Sequence, residues 1–219
     1  MTQTFNRISF DDQFRKLQKV EEWLCSIGIK SSDTRFDEIL HLNGEIVEYH
    51  NKNLLEELIE RHGNLKLWYA LTEASSFIRI HEALKPQKSH QRPRAKLKAM
   101  LLGPFHSWEE DVDSANIEPR NTLFELEAAA NFKGAGAKLI GFDDVDFVFK
   151  KNKFNVQCKR IHSERKVRDN VLEAADQFRK KMRTKPNLKG IICLSIDKLA
   201  GKEGMLLHVK SPSEIDRKI

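Results

Sequence analysis

VDFVFKKNKFNVQCKR, residues 145–160, decides how this chain is to be read. Two runs of alternating apolar and polar side chains flank a lysine-rich centre, the pattern of an antiparallel hairpin with one buried face. Val145, Phe147 and Phe149 share a face with Phe154, Val156 and Cys158, while Asp146, Gln157 and Lys159 fall on the other. A two-residue turn at Lys151 and Asn152 pairs Lys150 with Lys153 and sets Asp146 directly across from Gln157. A slip of one residue would oppose apolar to polar positions. An acid, an amide and an ammonium therefore converge on one side of a strand pair.

The flanking sequence supplies the rest of a mixed α and β unit. TLFELEAAANFKGAG is a helix that stops at Gly134 and Gly136, and AKLIGF is a short strand ahead of the hairpin. Beyond it, ERKVRDNVLEAADQFRKKM predicts a long helix with Val167, Val171, Leu172, Ala175, Phe178 and Met182 on its apolar face, then the buried strand GIICLSI. The order is helix, three strands, helix, strand.

Upstream the periodicity is helical. Phe14, Leu17, Val20, Leu24 and Ile27 recur at helix spacing before Gly28, and further helices follow from about 34 to 48, 54 to 61 and 65 to 84, broken by LNGE and RHGN. Residues 1–85 thus read as an all-helical N-terminal domain, 86–120 as a basic linker with an acidic lead-in, and 121–219 as the α/β core. The stretch Lys85–Met100 carries Lys85, Lys88, Arg92, Arg94, Lys96 and Lys98 with two prolines and no acid, which suits a solvated connector or a phosphate contact.

The 219-residue chain has 40% hydrophobic residues and a net charge of +6, enough for a packed core and a bias toward polyanionic partners. Fourteen Lys and Arg stand against four Asp and Glu between 150 and 189. Lys151, Arg160, Arg165 and Arg168 are the expected phosphate contacts. No apolar window approaches the roughly 18 residues of a membrane span, and the polar start MTQTFNRISF lacks the regions of a signal peptide, so the expected location is cytoplasmic. Cys25, Cys158 and Cys193 have no zinc-type spacing and are expected to be reduced, the latter two in the core. The closing SPSEIDRKI reads as an open, charged segment.

Asp and Gln oxygens suit a hard divalent cation, and a lysine beside them can orient a water or offset charge on a phosphate. Glu125 or Glu127 on the preceding helix would add a second carboxylate. This arrangement resembles the PD-(D/E)xK, restriction-endonuclease-like nuclease superfamily over roughly residues 121–196, with Asp146 and Gln157-Cys158-Lys159 as the matching residues. Val145 replaces the Pro of the family name and Gln157 the commoner Glu. The resemblance implies an α-β-β-β-α-β core with a central mixed sheet flanked by helices. It also implies a catalytic set of Glu125, Asp146, Gln157 and Lys159, and Mg²⁺ or Mn²⁺ held by Glu125, Asp146, Gln157 and the Cys158 backbone carbonyl.

The expected activity is metal-dependent endonucleolytic hydrolysis of DNA, in restriction, repair or phage defence, with the helical domain contacting a partner or a second copy. The alternatives are a non-catalytic nucleic-acid-binding module of the same fold, and a ribonuclease of the helical HEPN type using Arg35 and His41.

Overall fold

The computed structural model describes residues 9–87, 93–110, 115–142, 145–185 and 187–197. Lys88 and Arg92 of the basic stretch, part of the acidic lead-in and the SPSEIDRKI segment lie outside them. The protein is α+β, a helical N-terminal region joined to a four-stranded mixed sheet with helices.

Helix α1, Phe10–Ser26, is capped by Ser9, whose side chain accepts from the Asp12 amide, and ends before Gly28, which takes the left-handed φ of 74°. Helix α2, Arg35–Asn51, is capped in the same way by Thr34. It runs through LNGE, where a break was expected: a methyl group on Gly44 would lie 3.2 Å from the Phe14 ring, so this glycine admits α1 rather than ending α2. The RHGN break is real, with Gly63 at φ 80° between α3, Leu55–His62, and α4, Asn64–Leu84.

The stretch expected to be a connector is packed structure. It forms α5, Arg94–Ala99, and buries Leu97, Met100 and Leu101 completely, because three apolar side chains among the lysines fall on the inward side. They share one core with Leu17, Phe36 and Phe77, and with Leu123, Leu126 and Ala130 of α6, Glu118–Gly134. Pro119 starts α6 three residues earlier than its apolar run predicts. Helix α6 thus closes the helical core with one face. With Ala129 and Phe132 it covers the sheet.

The sheet order is β1 (Lys138–Gly141), β2 (Val145–Phe149), β3 (Asn152–Arg160) and β4 (Leu188–Ser195), antiparallel across the first two pairs and parallel between β3 and β4. Helix α7, Val167–Thr184, crosses from β3 to β4. The hairpin turn is Lys150-Lys151, both left-handed at φ 46° and 68°, not Lys151-Asn152. Asp146 therefore lies opposite Asn155, and Phe147 opposite Phe154. The register is displaced by two residues from the expected one, which leaves every side chain on its expected face, so alternation alone does not tell the two apart. Packing does: Phe132, Phe147 and Phe154 form a continuous stack, with ring centroids 4.5 and 5.0 Å apart.

Two expectations about burial are corrected. Helix α7 buries Ala174, while Leu172 and Met182 are exposed, because it lies on a polar sheet face and needs little apolar surface. Strand β4 is the edge of the described sheet and is half-buried, with Ile192 and Leu194 exposed. A side chain on Gly190 would meet the Phe178 ring at 2.7 Å, so that glycine is the seat of α7 on β4.

Candidate functional site

Alternation places Val145, Phe147, Phe154, Val156 and Cys158 under α6, so Asp146, Asn155, Gln157 and Lys159 face α7. This polar face is not the wet side of a strand: Asn155 is 0% and Gln157 6% exposed. Their polar groups satisfy one another. Asn155 Nδ2 donates to Asp146 Oδ1 at 2.7 Å, and Gln157 Nε2 donates to Asn155 Oδ1 at 2.7 Å. Lys181 of α7 reaches the same Asn155 oxygen at 3.4 Å, its ammonium held below the ordinary lysine range by burial and then by Lys185. Lys159 Nζ bonds Glu173 of α7 at 2.9 Å.

Asn155 is the member of this face that was not assigned a role from the sequence. Its local signal is the turn: a left-handed pair at Lys150-Lys151 sets Asn155 across from Asp146. Gln157 is instead the diagonal neighbour of Asp146, about 7–8 Å away along the backbone.

Glu125 lies on α6, on the other side of the sheet from Asp146, where it pairs with Lys96 at 2.6 Å. It borders a polar cleft of about 280 Å³ together with Cys158, Lys159 and His162, which neither Asp146 nor Gln157 lines. Glu127 points elsewhere, to Ser76 and Arg79 at 3.0 and 3.1 Å. Among the described residues no three His, Cys, Asp or Glu side chains gather as a metal-holding group. Asp146 and Gln157 supply oxygens of the right chemistry for Mg²⁺ or Mn²⁺, but Glu125 is divided from them by the sheet, so this arrangement does not fit the expected ligand set.

Arg160 is not a phosphate contact. It is 6% exposed and bonds both Glu110 oxygens at 3.1 Å and Asp197 at 2.6 Å. Burial works against its charge, and the carboxylates of Asp197 and Glu110 more than offset that, holding its pKa above the ordinary value. By alternation the residue falls on the face of Phe154, Val156 and Cys158, and two acids distant in sequence, Glu110 and Asp197, take up its charge there. Lys151, Arg165 and Arg168 are exposed as expected. Lys151 stands at the hairpin tip, whereas Arg165 and Arg168 follow the far end of β3, so they do not form one patch.

Cys158 and Cys193 are register partners on β3 and β4, and their thiols hydrogen-bond to each other. That bond pulls the Cys193 thiol down to about 7 and pushes the Cys158 thiol up. Arg35 and His41 border one cleft but have separate partners. The Arg35 guanidinium turns inward to Glu73 and the Met100 carbonyl, while the exposed His41 meets Glu45 at 3.8 Å.

No family model, curated protein or solved structure matches the chain. Its function rests on the geometry of these residues.

Proposed function

We propose that the protein is a metal-dependent endonuclease acting on DNA, with a restriction-endonuclease-like core. The observation that carries this is the placement of Asp146, Gln157 and Lys159 on the one face of the β2–β3 hairpin that α7 covers, with the buried Gln157 joined to Asp146 through Asn155. The helix, three strands, helix, strand order and a mixed sheet with α6 and α7 on opposite faces support the same core. Asp146, oriented by Asn155, is the candidate metal-binding carboxylate. Lys159 is the candidate ammonium beside the reacting phosphate, because its side chain reaches both Glu173 and the cleft bordered by Glu125. Exposed Arg165 and Arg168, at the same end of β3, suit the strand backbone.

A non-cutting nucleic-acid-binding module is the alternative, favoured by the division of Glu125 from Asp146 across the sheet. Supercoiled plasmid, single-stranded DNA and RNA incubated with the wild-type chain, with Mg²⁺ or with a chelator, separate the two. We expect Mg²⁺-dependent DNA cleavage, lost by at least about 100-fold in Asp146→Ala with the melting temperature retained. Equal cleavage by Asp146→Ala overturns the site. Salt-dependent DNA binding without cleavage by the wild type establishes the binding module instead.

A further inference from the structure

A second cavity, of about 210 Å³, adjoins the Lys159 cleft, and the two share Phe124 and Arg160 in their walls. Its sides are aromatic: Trp68, which is 40% exposed, Tyr69 set edge-on to it at 5.5 Å, and Phe124. Its polar lining includes Thr72, Ser76, Glu127, Ser195 and Asp197, with Ser76 donating to Glu127 and Ser195 to Asp197.

Two arginines line this cavity, yet it is not an anion site. Arg160 is bonded to Glu110 and Asp197, and Arg120 to Glu73 and Glu110, so every guanidinium there already faces carboxylates. A phosphate entering would have to displace these carboxylates from the arginines that already hold them. What remains for a ligand is a flat apolar surface edged with hydroxyl and carboxylate acceptors, which suits a neutral planar ring bearing N–H donors. The volume lies below the roughly 300–1,000 Å³ of a drug-sized site, room for one heterocycle and not for a whole nucleotide.

We propose that this cavity holds a single unpaired nucleobase of a DNA strand whose backbone crosses the neighbouring cleft at Lys159. This rests on the nucleic-acid reading of the Lys159 cleft and adds to it a requirement: the substrate carries an unpaired base beside the backbone that Lys159 meets. Trp68 supplies the stacking surface, and its exposure means that a ring can reach it without the fold opening.

The test is equilibrium binding of the full chain to fluorescent oligodeoxycytidylate, to an abasic oligomer of the same length, and to a duplex. The wild type is expected to bind the base-bearing strand more tightly than the abasic one. Trp68→Ala should weaken that binding about 5- to 150-fold, the span measured for one stacked base, and leave the abasic and duplex affinities unchanged. Trp68→Phe, which keeps a stacking face, should restore most of the loss, and a preserved melting temperature in both variants separates this from misfolding. Equal affinity of the wild type for base-bearing and abasic strands overturns the proposal, as does a Trp68→Ala variant with undiminished single-strand binding. Neither result depends on cleavage, so failure of the nuclease function, read from Mg²⁺-dependent plasmid cutting, is seen separately.

Discussion

His81 shows how far a single side chain is governed by what surrounds it. On α4 it is 6% exposed, its ring 5.2 Å from that of Trp23, and its Nε2 has no hydrogen-bond partner. Burial, followed by Lys85 and Lys19, pushes its pKa down to about 4 from 6.5. The unfolded chain therefore binds a proton that the folded chain refuses between these values. Stability is at its full value above pH 6.5 and is lost as pH falls toward 4, by an amount on the order of 3 kcal/mol. Urea unfolding at pH 7 and pH 4.5 should show His81→Phe losing about 2 kcal/mol less than the wild type on acidification. Equal losses would mean that His81 is protonated in the folded protein. Arg160 teaches the same lesson for function: it stands beside Lys159 in a basic stretch, and only its three-dimensional neighbours show that it is an internal cation.

At the scale of elements, the hairpin has an unfavourable turn and a favourable register. Two lysines occupy the left-handed positions of a two-residue loop, where Asn and Gly are preferred, at a cost of about 1 kcal/mol or more for each L-residue. The Phe132–Phe147–Phe154 stack and the Asp146–Asn155 hydrogen bond hold the strands in place despite it. The double substitution Lys150→Asn, Lys151→Gly should stabilise the protein by about 1–2 kcal/mol and raise its melting temperature by about 2–4 °C per kcal/mol. No change, or a loss, would show that the lysines make contacts that offset their backbone strain. The exposed edge β4 and the sparsely buried α7 are the elements whose sequence pattern promised more burial than the fold delivers.

For the whole molecule, the defining feature is an alternating chain of charges in which Arg35, Glu73, Arg120, Glu110 and Arg160 are buried and the half-exposed Asp197 is the end. It begins on α2 and α4, passes through α6, and ends where β3 and β4 finish, so it ties the helical region to the sheet. Burial draws the Arg35 pKa down to about 10, with Glu73 opposing that shift. Such networks add little net stability over an apolar core, but breaking one partner leaves charges without compensation. Glu110 holds two arginines, so Glu110→Gln should cost about 3–5 kcal/mol in urea unfolding. A cost under about 1 kcal/mol would mean that Arg120 and Arg160 re-pair with Glu73 and Asp197.

The sequence alone determined the order of helices and strands apart from α5, the helix ends at Gly28 and Gly63, and the face on which Asp146, Gln157 and Lys159 lie. Each of these depends on periodicity or turn chemistry within a few residues, and such signals survive without knowledge of partners. Tertiary structure alone decided that Asn155 opposes Asp146, that Glu125 stands across the sheet, that α5 is core and that Arg160 is buried. Two registers of equal parity look alike along the strand, and a charged side chain reads the same whether its counter-ion is water or a carboxylate fifty residues away; packing and charge compensation between distant segments choose between them.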